Sequence, residues 1–187
     1  MKKPVLERSW ARLESLGKYL YVLGGEGKED ETILKSVEAY DSEADTWITV
    51  ADMNVAHDDT CRSVSYNGLL YVLDATKCDY NDNMEASFEC FNPLTNKWTV
   101  LKPMCPKKFK YNVDFHVVAN NGWIIVRIDM IFLKENGLPY SKFYKYNIDE
   151  GSWDCETVED RMITNFCLVK KDNLAIQNDE STKAERD

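Results

Sequence analysis

Histidine is scarce in this chain, and several patterns that carry chemistry are missing altogether. Only His57 and His116 occur among 187 residues. An enzyme active site needs convergent acid, base or nucleophilic groups, so the pair reads as one residue of a polar connection and one strand residue. Six cysteines stand at 61, 78, 90, 105, 155 and 167 with no CxxC or CxH pair. Isolated thiols at such spacings are small buried hydrophobes of a reducing compartment, not zinc ligands. The acidic pairs Glu29-Asp30 and Asp58-Asp59 lack calcium-loop spacing and read as solvated loops. Gly24-Gly25-Glu26-Gly27-Lys28 lacks both the Walker spacing and the Ser/Thr that follows it. No catalytic residue, metal ligand or cofactor is therefore expected. There is no Asn-x-Ser/Thr sequon and no apolar run approaching ~18 residues. Met1 to Ser15 carries Lys2, Lys3, Arg8 and Arg12 without the apolar centre of a signal peptide. The expected location is cytoplasmic.

Positive charge is also in deficit. The net charge is −9, from 23 basic and 32 acidic residues, which argues against non-specific affinity for nucleic acid or an anionic membrane. Lys107-Lys108-Phe109-Lys110-Tyr111 is basic with interleaved aromatics, but in this background it reads as one solvated connection. What the chain does have is apolar content: 44% hydrophobic and 12% aromatic residues, enough for a packed core. The length bounds it to one domain or two small ones.

The apolar residues come in a recurring order. Tyr19 to Leu23 reads as a strand stopped by Gly24-Gly25, and the charged stretch Glu26 to Lys35 as a loop. Val37 to Tyr40 is a second strand, Asp41 to Asp45 a turn, Thr46 to Val50 a third strand carrying Trp47, and Cys61 to Tyr66 a fourth. For Ser9 to Leu16 the pattern leaves helix and strand open, and the repeat favours strand. The order then restarts. Asn67-Gly68 marks a hairpin, Leu69 to Leu73 a strand, and Asp74-Ala75 stands where the glycine pair stood. Thr76 to Ala86 is a polar loop, Phe88 to Pro93 a strand, and Trp98 follows. A third copy runs from Asn121-Gly122 through Phe143 to Asn147 and Trp153, with Ile128 and Asp129 in the glycine places; a fourth begins at Asn165 to Ile176. The tryptophans at 47, 98 and 153 step by 51 and 55, as do the aromatics at 40, 91 and 146. Tyr21, Tyr71, Ile125 and Ala175 step by 50, 54 and 50.

A unit of about fifty residues with four short strands, a Gly-Gly, a Tyr-Asp and a Trp resembles a blade of a kelch β-propeller. Gly24-Gly25, Tyr40-Asp41 and Trp47 make the first copy the closest match. The expected fold is all-β: a partial kelch β-propeller of about three four-stranded blades plus the start of a fourth. The propeller segment spans residues 1–178, with blades at about 8–53, 60–104 and 113–158 and a partial one at 165–178, followed by a polar tail at 179–187. The resemblance makes Gly24, Gly25, Tyr40, Trp47, Trp98 and Trp153 scaffold, with the aromatics packed between blades. Closed propellers have four to eight blades, so missing blades or self-association are expected to complete the ring.

Function is then expected on loops. In the family, the loop between the second and third strands and the connection to the next blade open on one face that binds a protein or peptide. Carried over, that face comprises Glu26 to Ser36, Asn54 to Thr60, Thr76 to Ala86, Cys105 to Asp114 and Asp129 to Tyr140. Its candidate contact residues are Glu26, Lys28, Asp58, Asp59, Thr60, Thr76, Asn112 and Asp114. Glu29, Asp30, Glu31, Asp58, Asp59, Asp79 and Asp82 favour a partner of basic character. The chain also resembles the kelch-like adaptors, in which a BTB domain recruits a cullin ubiquitin ligase and the propeller selects the substrate. That implies a non-enzymatic recognition module. No BTB-type helical segment occurs in these residues, so ligase recruitment would lie outside them. Actin binding is the alternative implication, and a propeller enzyme such as a kelch-type oxidase or isomerase a weaker one.

Overall fold

Three times the chain reverses over a two-residue hairpin, and each reversal seeds a sheet. Gly17 supplies φ +61° at the first. Asn67-Gly68 supplies +49° and +76°, and Asn121-Gly122 +49° and +80°; these are the paired positive φ angles of a type I′ turn, which Asn-Gly adopts at little cost. The computed structural model describes residues 4–74, 86–104, 114–130 and 140–158, and every regular element among them is a strand. Sheet 1 is β2 (Arg12–Leu16), β3 (Tyr19–Leu23), β5 (Val37–Asp41) and β6 (Thr46–Thr49). Sheet 2 is β7 (Arg62–Tyr66), β8 (Leu69–Asp74), β9 (Ser87–Asn92) and β10 (Lys97–Val100). Sheet 3 is β11 (Asp114–Asn120), β12 (Trp123–Met130), β13 (Tyr140–Asn147) and β14 (Ser152–Val158). All three are antiparallel meanders in sequence order.

The turn between the last two strands is built the same way each time. Asp41, Asn92 and Asn147 end the third strand and cap the turn: Asp41 Oδ1 accepts from the Glu43 and Ala44 amides, Asn92 Oδ1 from Leu94, and Asn147 Oδ1 from Asp149 and Glu150. Four residues on, Asp45, Asn96 and Gly151 take φ of +50°, +50° and +64°. Short polar side chains that bond their own backbone, followed by a residue tolerant of left-handed φ, fix the turn locally.

Strand alternation sends Leu70 and Val72 to one face of sheet 2 and Tyr71 and Leu73 to the other. The first pair packs with Phe91 against Tyr21, Leu23, Val37 and Ala39 of sheet 1, with Met53 and Cys61 from the connection filling in. The second packs with Phe88 against Ile124, Val126, Ile128, Tyr144 and Tyr146 of sheet 3. Burial on both faces explains the unbroken apolar run Leu69 to Leu73. The half-buried tryptophans bridge sheets: Trp98 Nε1 donates to the Ala51 carbonyl at 2.8 Å, and Trp153 Nε1 to the Lys102 carbonyl at 2.8 Å. The first strands lie side by side, β2 next to β7 and β7 next to β11. Across that line Glu14 accepts from Ser63 Oγ and the Ser65 amide, and Tyr66 Oη accepts from the Gly122 amide. Sheets whose leading strands converge while their faces stack form the fan of a partial propeller.

Several sequence expectations shift. Arg12–Leu16 is strand, which resolves the open choice at Ser9 to Leu16. Glu26 does not begin a loop: Glu26–Gly27 (β4) pairs with Arg8–Ser9 (β1) as a short ladder. In sheet 3 the strands run straight through Ile128-Asp129 to Met130 and resume at Tyr140, because no glycine pair turns the backbone out of extended geometry there. The fourth repeat at 165–178, the tail, Lys107 to Tyr111, and Cys78, Cys105 and Cys167 lie outside the described residues.

Candidate functional site

One rim of the fan is made by two segments of main chain lying against each other, residues 24–36 and the connection 50–61. The His57 amide donates to the Leu34 carbonyl and the Met53 amide to Lys35, while the Gly25 amide donates to the His57 carbonyl at 2.7 Å. That last contact explains the glycine pair. Gly24 and Gly25 hold φ of +57° and +92°, and a Cβ on Gly24 would stand 2.1 Å from the His57 carbonyl oxygen. On Gly25 it would stand 2.5 Å from the Ser9 oxygen. The pair leaves room for the chain to cross into the next sheet.

Beneath the rim, each of the first two sheets holds its incoming segment with a buried carboxylate. In sheet 1, Glu38 accepts from the Val5 and Leu6 amides and pairs with Arg8 at 2.8 Å. Arg8 also donates to the carbonyls of Gly24 and Ser36. In sheet 2, Glu89 accepts from the Asn54 amide, Asn54 Nδ2 and the Val55 amide. The cation's place there is taken by His57, which is fully buried. Its Nδ1 is 3.2 Å from Asp74 and its Nε2 3.7 Å from Glu89, with Ser87 Oγ at 3.4 Å. Burial works to raise the Glu89 carboxyl, but the bonds from His57, Asn54 and Val55 prevail and hold it below the usual range. His57 lies in the polar connection where the sequence placed it, and its ring is in the interior. Glu38 and Glu89 are 51 residues apart, one of the steps of the repeat, whereas Arg8 and His57 are 49 apart, one short of the 50-residue step, so the sequence signals the carboxylate and not its cation.

The candidate contact residues fall unevenly. Glu26 is half-buried in β4. Lys28 is exposed and paired with Glu7 at 2.7 Å. Asp58 Oδ1 caps its own turn, accepting from the Thr60 amide and hydroxyl, whereas the Asp59 side chain is exposed. Thr60, half-buried, completes that turn. Asp114 opens β11. Thr76 and Asn112 lie outside the described residues, as do Asp79 and Asp82. Glu29, Asp30 and Glu31 are exposed beside Lys28; Thr32 bonds hold the Asp30 carboxyl below its ordinary value. Between this loop and the N-terminal segment lies a cleft of about 400 Å³ lined by Val5, Leu6, Gly27, Glu29, Asp30 and Leu34.

Among the described residues no three His, Cys, Asp or Glu side chains are arranged to hold a metal. Burial raises the thiols of Cys61 and Cys90 to about 12 and about 11, with Asp74 adding to the effect on Cys61, so neither is a reactive thiolate at neutral pH. No helix among the described residues is long and apolar enough to cross a membrane.

Comparison with known proteins fits this architecture. Residues 8–54 match the Kelch motif. The chain is 30% identical over 86 residues to Kelch-like ECH-associated protein 1A of Danio rerio, covering 46% of this chain and 14% of that protein. It is 32% identical over 96 residues to Beta-scruin of Limulus polyphemus, 48% of this chain and 10% of that one. With Protein C13 of Swinepox virus (strain Kasza) it shares 32% over 92 residues, 48% and 18% respectively. The matches thus span less than a fifth of each relative's length. The solved structure of YjhT superimposes with a TM-score of 0.57 at 16% identity, covering 82% of this chain and 53% of that one, a likeness of fold.

Proposed function

This is a kelch-repeat chain, and from that premise we propose that it is a non-enzymatic recognition module whose acidic rim binds a protein or peptide of basic character. Kelch repeats are protein–protein interaction modules. The observation that carries the finer reading is the rim: Glu29, Asp30, Glu31 and Asp59 are exposed on a loop and a connection that hydrogen-bond to each other. Fixed carboxylates on a rigid frame attract and orient cationic side chains. Substrate selection of the kind made by cullin ubiquitin ligase adaptors accords with the match to a kelch-like protein; actin binding is the second reading, favoured by the match to Beta-scruin. Completion of the ring by self-association or by further blades belongs to the same proposal.

Asp59→Lys tests the rim without touching the turn that Asp58 caps. Capture from lysate, with identification of the proteins retained, should show cullin and ubiquitin components for the adaptor reading or actin for the other. Retention should fall by tenfold or more in Asp59→Lys combined with Glu29→Lys, since an exposed charge pair contributes up to ~1 kcal/mol and reversing two carboxylates adds repulsion. Undiminished retention would show that the partner sits elsewhere.

A further inference from the structure

The ladder of β1 and β4 ends on a residue that folding alone does not account for. Trp10 follows Ser9 at φ +55°, a left-handed conformation that disfavours bulky side chains. The other non-glycine residues at positive φ among the described ones are Glu31, Asp45, Asn67, Asn96 and Asn121. All are polar residues at turns, and four of them are Asp or Asn, which tolerate it. Burial of the Trp10 ring does not offset the strain, since the residue is 65% exposed. Its backbone is nonetheless held on both sides. A Cβ on Gly25 would stand 2.5 Å from the Ser9 carbonyl oxygen and 2.9 Å from the Ala11 Cβ, so the main chain around Trp10 lies hard against the glycine pair. A strained, exposed tryptophan on a fixed backbone is the arrangement of a contact residue.

The rest of that corner carries matching features. Val5, Leu6, Trp10 and Ile33 are four of the eight large apolar residues left exposed among the described ones, and all four lie on the N-terminal segment or on residues 26–36. Exposed apolar residues gathered in one place mark an interaction surface. The cleft of about 400 Å³ there has Val5, Leu6 and Leu34 for apolar walls. Of its four charged residues, Lys28 is paired with Glu7, which leaves Glu29 and Asp30 to set the charge. Asp30 is held in place by the Thr32 amide and hydroxyl. Apolar walls beside carboxylates suit a side chain that is apolar along its stem and cationic at its head.

We infer that this corner, from the cleft to Trp10, is the part of the rim that receives an extended basic segment of a partner protein. One arginine or lysine lays its stem in the cleft with its head at Glu29 and Asp30, and an arginine stacks on the Trp10 ring. Tryptophan is the best aromatic acceptor for a cation, and arginine the commoner partner. The ladder sets the two places apart. Its rungs join Arg8 to Gly27 and Ser9 to Glu26, and the Lys28 amide donates onward to the Glu7 carbonyl. Trp10 therefore stands three extended residues, about 10 Å, from the mouth of the cleft. An extended segment with cations at its first and fifth positions presents both on one face about 13 Å apart, which reaches from the ring into the cleft. The inference rests on the rim reading above and narrows it to one corner and one spacing of charges.

The probe is the peptide acetyl-Arg-Ala-Ala-Ala-Arg-amide, titrated into the full chain at low salt. Binding is followed by the indole N–H NMR signals of the five tryptophans, the Trp10 signal being the one that Trp10→Asn lacks. The Trp10 signal should shift and saturate, and a peptide with glutamine for both arginines should bind about tenfold more weakly. Trp10→Asn should weaken binding about threefold, as for a cation–π contact at an exposed site. Its urea midpoint should stay or rise, because asparagine tolerates the left-handed backbone. Glu29→Gln with Asp30→Asn should weaken binding about tenfold and flatten its dependence on salt. A Trp10→Asn chain that binds like the parent, or that loses stability as if a core tryptophan were gone, overturns the inference. So does a parent chain that does not bind the probe, or a glutamine peptide that binds as well. Dispersal of an assembly of the parent chain by Trp10→Asn would give the ring to a second copy and overturn it too. The rim is judged separately: capture of a basic partner that depends on Asp59, outside the cleft, and not on Trp10 keeps the rim's role and removes the corner's.

Discussion

A glycine is replaceable or not according to what stands beside its missing Cβ. Gly24 and Gly68 both hold positive φ, but a Cβ added to Gly24 would stand 2.1 Å from the His57 carbonyl oxygen, whereas one added to Gly68 would meet nothing within 4 Å. Gly68→Ala should therefore cost about 1 kcal/mol, the conformational penalty alone, while Gly24→Ala should cost at least ~3 kcal/mol because the connection must move as well. Urea titration of the two variants measures the difference directly; equal losses would mean the crossing is not tight. The buried thiols give a second prediction. With values of about 12 and about 11, Cys61 and Cys90 should resist iodoacetamide at pH 8 in the folded chain and react only after denaturation, as peptide mass spectrometry would reveal. At this scale the sequence was readable where chemistry is local. Asn-Gly dictated its hairpins, and Asp41, Asn92 and Asn147 dictated their turns. The interior place of the His57 ring is not legible in that way, because its surroundings come from Asp74 and Glu89, which its immediate neighbours do not announce.

At the scale of the strand and its turns, one sheet is coupled to the next through few directional bonds. Ala51, just past β6, is held from sheet 2 twice: its amide donates to Asn96 Oδ1 at 2.9 Å and its carbonyl accepts from Trp98 Nε1 at 2.8 Å. Trp98→Phe keeps the ring packed near Phe91 and loses the bond, so about 1 kcal/mol should be lost. Trp98→Ala removes the ring also and should cost about 3–5 kcal/mol. Thermal unfolding followed by tryptophan fluorescence separates the two, and a phenylalanine variant as damaged as the alanine one would make the bond the principal contribution. The recurrence of tryptophan once per repeat marks its packing role without revealing its hydrogen-bond partner, because a carbonyl is present at every residue and the sequence marks none. The β1–β4 ladder was hidden for the same reason. Arg8–Ser9 and Glu26–Gly27 pair through backbone alone, and their side chains carry no strand pattern.

For the molecule as a whole, the outer face of sheet 1 is covered by the N-terminal segment only at Val22 and Glu38, and among the described residues its other half stays partly exposed. Leu13, Leu20, Tyr40 and Trp47 share that face through the pairings of Leu13 with Val22, Leu20 with Tyr40 and Tyr40 with Trp47, and Leu13 is 55% exposed. The matching face of sheet 2 is buried against sheet 1. Sedimentation should therefore show mass increasing with concentration, and Leu13→Lys should weaken the association by about tenfold, as expected for losing the burial of one leucine. A single species of unchanging mass would assign the face to something other than a second copy. The tryptophan bridges say what form such association takes. Trp98 reaches back to sheet 1 and Trp153 back to sheet 2, so every junction has a giver and a receiver that are different surfaces. A contact of that kind cannot be its own mirror under a two-fold axis through the interface. It is heterologous, and copies joined by it either close into a ring or continue as a fibre.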